Sequence, residues 1–344
     1  MKEDDSMGSH KSIKDIPFSV LDLAPILAGG TPSESFRNTV DLAQHAERWG
    51  YNRYWIAEHH NMPAIASSAT SVVIGHVAAN TSKIRVGSGG IMLPNHAPLV
   101  IAEQFGTLES MFPCRIDLGL GRAPGTDQTT SYALRRNHKQ DAQDFPEQLA
   151  ELRTYFDPSM ARGKIRVRAF PGEGLDIPIW LLGSSGFSAE LAAKEGMPFA
   201  FASHFSPNNT LPALQVYRRF FEPSEFLEKP YAMVGVNVIA ADTDEEAQLL
   251  ATSLQQQFLN LIRNQLVPLQ PPVESMEGRW TEYEKAALQQ QLGGSIIGSP
   301  ETVREKLDHF LEETEADEMI VASQIYNHKA RLRSYEILAE IIKS

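Results

Sequence analysis

The sequence of 344 residues predicts an α/β protein built as a TIM-like (β/α)8 barrel, with insertions after its fourth and seventh strands. Three observations point there. Short apolar runs alternate with longer amphipathic ones from Ile16 to the end of the chain. The short runs are apolar almost throughout, which suits parallel strands covered on both faces rather than a half-exposed sheet. Eight such units follow one another, the number that closes a barrel. An open doubly wound sheet has the same local pattern and stays as the alternative, because sequence does not show closure.

The first strand is expected at 18–25. Its helix starts with Thr31 as N-cap, Pro32 at the first helical position and Glu34 as capping-box acid. Phe36, Val40 and Ala43 recur on one face, and Gly50 ends the run. A second strand at 51–58 leads to a helix at 64–80, a third at 83–93 to a helix at 98–111, and a fourth lies at 115–121. Later strands are expected at 177–183, 198–203, 231–240 and 318–323. Helices are expected at 188–195, 211–221, 244–263 and 300–313, with the last at 329–342. Residues 122–176 form the first insertion, with a helix near 139–156 and a hairpin around 164–178. Residues 264–298 form the second, and loops of this length usually serve as lids or pocket walls. The polar leader 1–15 is expected to be flexible, and 16–344 to be one domain.

Lys and Arg number 31 against 43 Asp and Glu, a net charge of −12. That balance speaks against nucleic acid or an anionic membrane as partner, since neutralising phosphates takes clustered cations. Arg135-Arg136 and the basic residues of 162–168 read as solvated loops. The single cysteine, Cys114, excludes an internal disulfide framework and a cysteine-based zinc site, and suits a cytoplasmic protein. The longest uncharged stretch, 61–82, is interrupted by Ser67, Ser68, Thr70, Ser71 and His76, so it reads as a packed helix and not a membrane span.

Barrel sites lie at the C-terminal ends of the strands. The second strand ends in Glu58, His59 and His60. Neighbours on a strand point to opposite faces, so His59 and His60 cannot easily share one ion. A mononuclear site would have to use Glu58, His60 and His204, and no metal is predicted. For either histidine, a hydrogen-bonded strand cap is the plain alternative to catalysis. Gly183, Ser184, Ser185 and Ser188 join the fifth strand to its helix, where amides and hydroxyls can cradle an anion or simply cap the helix. Arg122, directly after the fourth strand, can offer its guanidinium fork to the same anion. Gly89 and Gly90 remove side chains in mid-strand, as at a bulge or where a ligand lies on the backbone. Tyr51, Trp55, Phe105, His204, Trp280 and Tyr283 are candidates for pocket walls or for core. A planar cofactor bearing a phosphate would use these features together.

In their order, WIAEHH, VGSGGIMLPNHAP, RIDLGLGRAPG and IPIWLLGSSGFSAELAAKEG, with a late IIGSPETVREKL, resemble the bacterial luciferase-like flavin monooxygenases. The resemblance runs over about 16–340 and is to the single-chain, alkanal-monooxygenase-like members. It implies a barrel that binds FMN at the C-terminal mouth, with the phosphate near Arg122 and the turn 183–188. The isoalloxazine ring would lie over Gly89-Gly90, where the family often has a cis peptide. His59 matches the family's catalytic base, with a pKa near neutrality, and Glu58 the acid that would orient or polarise it. The resemblance further implies reduced FMN delivered by a separate flavin reductase, O2, a small apolar, aldehyde-like substrate, and a homodimer through the second and third helices. Luminescent chains carry cysteine where Gly121 stands and alanines where Gly89 and Gly90 stand, so light emission is not expected. The alternatives are a deazaflavin-dependent hydride transfer, an FMN-binding protein without turnover, and, as an outsider, a metal-dependent hydrolase.

Overall fold

Near-continuous apolar runs form strands only where both faces are covered, and a ring of helices around a closed sheet meets that condition. The computed structural model describes residues 11–123, 125–135, 144–160 and 167–344. Its elements begin with β1 (Phe18–Asp22), α1 (Pro32–Trp49), β2 (Arg53–Ile56), α2 (Thr70–Ala79), β3 (Arg85–Ser88), β4 (Ile91–Met92), α3 (Pro98–Met111) and β5 (Ile116–Gly121). Then come α4 (Gln128–Arg135), α5 (Phe145–Phe156), β6 (Ile179–Gly183), α6 (Gly186–Lys194), β7 (Phe199–Phe201), α7 (Thr210–Arg219) and β8 (Ala232–Ala240). The chain ends with α8 (Asp244–Ile262), α9 (Glu282–Leu292), β9 (Ile296–Gly298), α10 (Pro300–Thr314), β10 (Glu318–Ala322) and α11 (His328–Lys343). The barrel order is β10-β1-β2-β3-β5-β6-β7-β8, every pair is parallel, and β8 pairs back onto β10. The sheet is closed, and the open doubly wound alternative is excluded.

Several expectations shift by local chemistry. The capping box of Thr31 and Glu34 and the left-handed Gly50 bound α1 as anticipated. The expected strand 83–93 divides at Gly89-Gly90, whose peptide is cis, and β4 continues it beside Leu120 and Gly121 of β5. The second helix starts at Thr70 and not at 64, because Ile65 bridges Pro25 and Ala66 N–H donates to Ala24 O. That backbone is committed to the loop after β1. In the first insertion α5 begins at Phe145, and positions 139–143 and 164–166 of the expected helix and hairpin lie outside the described residues. Residues 167–178 contain a turn and no strand, so the described part of the expected hairpin is not one. Within the leader, Ile13 is buried and Lys11 Nζ meets Asp317 Oδ1 at 2.5 Å.

The seventh unit needs the largest revision. The helix that packs on β8 between α7 and α11 is α10. Helix α8 also touches β8 but packs chiefly on β9 and α9, so the insertion runs from the end of β8 to β9 and includes α8. Its apolar cluster, with Leu250, Leu254, Phe258, Met276 and Leu288, is completed by Ile239 of β8 and by Ile325 beyond β10. Leu269 ties it to Leu27 after β1.

Strand alternation sorts the barrel residues into two sets. Phe18, Val20, Tyr54, Ile56, Leu118 and Leu120 face the helices and form the main core. Leu21, Trp55, Ala57, Trp180, Ala200, Met233 and Ile320 face the axis in a separate cluster. Below them lies a buried ionic plug. Arg53 places NH1 2.8 Å from Asp117 Oδ2 and Nε 3.0 Å from Glu318 Oε1, so it bridges β5 and β10. Arg85, Trp55 Nε1, Ser19, Asn52 and Tyr231 supply the remaining donors to the two carboxylates. Tyr51 and Phe105 belong to the outer core and line no mouth.

Removing one member of a buried ion pair leaves an uncompensated charge and costs about 3–5 kcal/mol. Arg53→Ala is therefore expected to lower the unfolding free energy by about that amount. Arg85→Ala, whose partner Asp117 keeps Arg53, is expected to cost well under half as much. Urea unfolding of both variants against the parent chain checks the ranking.

Candidate active site

Four neighbouring strands, β2, β3, β5 and β6, bring the candidate residues to one arc of the C-terminal rim. Alternation along β2 turns Arg53 and Trp55 inward, Ala57 joins the same interior cluster, and the alternation carried past the end of the strand assigns His59 to that side. Glu58 and His60 take the other side. Glu58 is 1% exposed, and its Oε1 lies 2.8 Å from both His60 Nε2 and His96 Nε2, while Oε2 accepts from Met92 N–H at 3.1 Å. Burial pushes the Glu58 pKa up. The bonds from His96, His60 and Met92 outweigh that and leave it below the ordinary 4.5. Glu58 is thus a clamp that holds the β3–α3 connection on the end of β2.

This revises the expected pairing of Glu58 with His59. The carboxylate makes no bond to His59 and acts on it only through its charge. His59 Nδ1 is sealed from solvent with no hydrogen-bond partner. Burial, the largest influence, brings its pKa down to about 4, so His59 is neutral at pH 7 and titrates well below the near-neutral pKa expected. His96 is a site residue that the sequence reading missed; its one signal was a histidine two positions before the proline that opens α3. Among the described residues, the ligand atoms of Glu58, His60 and His96 lie within 4.8 Å of one another. His96 takes the place given to His204 in the metal alternative, and the three groups already satisfy one another by hydrogen bonds.

Gly89 and Gly90 floor the arc. A Cβ on Gly90 would stand 2.7 Å from Gly119 O, a backbone atom that cannot yield, and one on Gly89 would stand 2.7 Å from Leu21 Cδ1. A side chain is excluded at Gly90 by backbone, whereas at Gly89 it would need the Leu21 side chain to move. Arg122 follows β5, and its guanidinium carbon sits 4.2 Å from the Phe187 ring centre in α6. No acid pairs with Arg122 among the described residues. The turn between β6 and α6 stands beside it. Ser185 is the N-cap of α6 and makes no side-chain capping bond, so its hydroxyl and the first-turn amides are free for an anion. The helix starts two residues earlier than expected, which moves Ser188 from the cap into the first turn. There it is buried where a Gly183 side chain would stand, shaping the turn. Ser184 is half-buried beside Ser185.

An inward neutral histidine, a bare backbone floor and an unpaired arginine beside a helix N-terminus define a mouth for a planar molecule with an anionic end. The chain belongs to the luciferase-like monooxygenase family, whose family model matches residues 16–318. It is 53% identical over 328 residues to a luciferase-like monooxygenase of Escherichia coli K12, covering 95% of this chain and 97% of that one. It is 35% identical over 337 residues to N-acetyl-S-alkylcysteine monooxygenase of Bacillus subtilis, covering 95% and 98%. The solved structure of apo-MsnO8 superposes with a TM-score of 0.85 at 34% identity, covering 95% of this chain and 98% of that one. Two remoter structures share the fold. They are a 3,6-diketocamphane monooxygenase component in complex with FMN (TM-score 0.72, 18% identity) and an F420-dependent secondary alcohol dehydrogenase (TM-score 0.67, 12% identity), each covering at least 95% of both chains. Among the described residues, no helix is long and apolar enough to cross a membrane.

A histidine whose folded pKa lies below its unfolded value takes up a proton on unfolding. His59 therefore favours the unfolded state progressively as pH falls from about 6.5 towards about 4. In that window the parent is expected to lose stability more steeply than His59→Gln, by about one proton's worth of slope. Glu58, with its depressed pKa, adds stability above 4.5 that is lost only below it. Denaturant unfolding across a pH series reads both effects.

Proposed function

We propose that the protein is an FMN-dependent monooxygenase that uses reduced FMN from a separate reductase and O2 to oxygenate a small, apolar, aldehyde-like substrate. The observation that carries this reading is the order around the rim: histidine, bare floor, arginine and helix N-terminus on four neighbouring strands. At about 4.8 Å per strand, these features span roughly 14 Å. Arg122, Ser184, Ser185 and the first-turn amides of α6 would hold the phosphate. The Gly89-Gly90 backbone would support the ring, with Gly183 and Ser188 shaping the phosphate turn. Bound reduced flavin would supply the electrons that activate O2.

The protein's own part is positioning, proton handling and exclusion of water. An unpaired buried N–H costs more than an unpaired acceptor, so the sealed Nδ1 of His59 is the bare nitrogen and Nε2 carries the proton. A neutral Nε2–H beside the ring can donate a hydrogen bond to a developing negative charge while keeping its proton. Glu58 keeps the floor in register through Met92 and His96. Leu269 and the rest of the insertion wall the mouth next to β1.

The monooxygenase names of relatives at 53% and 35% identity favour FMN and oxygen over deazaflavin hydride transfer, whose F420-dependent neighbour is 12% identical. A second copy of the chain suits the apolar residues that α2 and α3 present to solvent, Val72 at 70% and Met111 at 60% exposure. A homodimer, a cytoplasmic location and a reductase partner complete the proposal.

Arg122→Ala is expected to weaken FMN binding about tenfold or more, the loss of one charge-assisted contact. Flavin fluorescence titration measures it. With reduced FMN supplied, His59→Ala is expected to lose most of the substrate-dependent oxygen uptake while still binding FMN. Full turnover in that variant would leave His59 without a role, and turnover without oxygen uptake would favour deazaflavin.

A further inference from the structure

Among the described residues four carboxylates are at most 1% exposed: Asp22, Glu58, Asp117 and Glu318. Three of them hold a permanent cation. Arg331 lies 2.8 Å from Asp22, Arg53 meets both Asp117 and Glu318, and Arg85 adds to Asp117. Glu58 is the exception. Its ion-pair partners among the described residues are two imidazoles, His60 and His96, which carry charge only when protonated. A buried charge is stable when it is paired or coordinates a metal, so Glu58 stands where a cation belongs.

The donor atoms around it converge. Nε2 of His60 and Nε2 of His96 each stand 2.8 Å from one oxygen, Glu58 Oε1, and the three groups offer ligand atoms within 4.8 Å of one another. Around a tetrahedral Zn2+, with bonds of about 2.0–2.1 Å, neighbouring donors are about 3.4 Å apart. Opening the two contacts to Oε1 by about half an ångström makes room for the ion. Each ligand is also held from behind. Glu58 Oε2 accepts from Met92 N–H at 3.1 Å, the kind of outer bond that aims a metal-bound carboxylate. The His60 carbonyl accepts from Thr126 Oγ1 at 3.1 Å, and His96 N–H donates to Leu93 O at 3.0 Å. Side-chain exposure rises from 1% at Glu58 to 13% at His60 and 25% at His96. The histidine side of the triangle therefore reaches solvent and can admit an ion with water as its fourth ligand. Two imidazoles and one carboxylate suit Zn2+ and its borderline neighbours, whereas Mg2+ and Ca2+ call for oxygen ligands.

We propose that Glu58, His60 and His96 form a binding site for a divalent transition-metal ion, with Zn2+ the best fit, on the side of β2 away from His59. The hydrogen-bonded clamp is its metal-free form. On binding, each neutral imidazole moves its proton from Nε2 to Nδ1, and the Nε2 lone pair goes to the ion. No redox partner is needed. The ion ties the end of β2 to the β3–α3 connection, and the assignment does not depend on a flavin.

The test uses the full chain, stripped with a chelator and returned to chelator-free neutral buffer. Calorimetric titration is expected to give one Zn2+ per chain with a Kd of about 1 μM or below. His60→Ala and His96→Ala are each expected to weaken Zn2+ binding about tenfold or more. His45→Ala, which removes a histidine beside Asp41, controls for binding elsewhere and is expected to change nothing. Saturating Zn2+ is expected to raise the thermal midpoint of the parent and not that of His96→Ala. Nitrogen-15 spectra of the parent, which need no variant, are expected to show two imidazole Nε2 atoms losing their protons as Zn2+ is added. The proposal is overturned if the parent binds no stoichiometric Zn2+, if fewer than two Nε2 atoms respond, if both alanine variants at the site bind as the parent does, or if His45→Ala weakens binding as they do. Matching thermal midpoints of the metal-free proteins establish that the variants fold.

Discussion

The interior of the barrel is organised around one guanidinium. Arg53 enters from β2 and reaches Asp117 on β5 and Glu318 on β10, strands that do not touch each other. Two carboxylates in a dry interior would each cost several kcal/mol without a partner; Arg53 pairs with both, and Arg85 adds a second cation at Asp117. It also lies 4.8 Å from the centre of the Trp180 ring, which packs edge-on against Trp55 and Tyr231. Charge at the floor and aromatic bulk above it fill the lower half of the barrel. Above that level the strand ends carry glycines, at Gly89, Gly90 and Gly183, and the polar groups of the candidate site.

The rim then divides its polar groups into satisfied and unsatisfied sets. Glu58 has both oxygens occupied and binds the β3–α3 connection to β2. His59, one residue on and turned inward, has no partner at Nδ1. Strand alternation alone separates the two neighbours. A hydrogen-bonded carboxylate and an unpartnered imidazole nitrogen can stand next to each other in sequence because the backbone sends them to different environments.

Much of the fold was legible because its signals are local. Thr31, Pro32, Glu34 and Gly50 announce α1 through capping chemistry, and α3 matches its expected bounds of 98–111. What was hidden depends on closure. Arg53 meets partners 64 and 265 residues away, and no window of sequence shows such a pairing. His96 joins Glu58 only once β3 lies beside β2. Apolar residues on both faces masked which ones point to the axis, so Tyr51 and Phe105 looked as able to line a pocket as Trp55. Helix α9 did carry a local signal, the capping box of Thr281 and Glu284, within a segment whose prolines and glycines suggested an irregular loop. The site was legible as a set of strand ends; the protonation of its histidines was not, since burial sets it.

The insertion between β8 and β9 is anchored on the ring: β9 pairs with β8, Ile239 of β8 and Ile325 beyond β10 complete its apolar cluster, and Leu269 bridges to Leu27 after β1. Its outer parts, α8, α9 and their connection, hold together chiefly through the remaining side chains of that cluster. The solvent side of α8, α9 and their connection lies apart from the buried charges of Arg53 and from the Glu58 clamp, which sit on other strands. A cantilever fixed at β8 and β9, it lets the chain alter the surroundings of one stretch of the rim while the load stays on the ring.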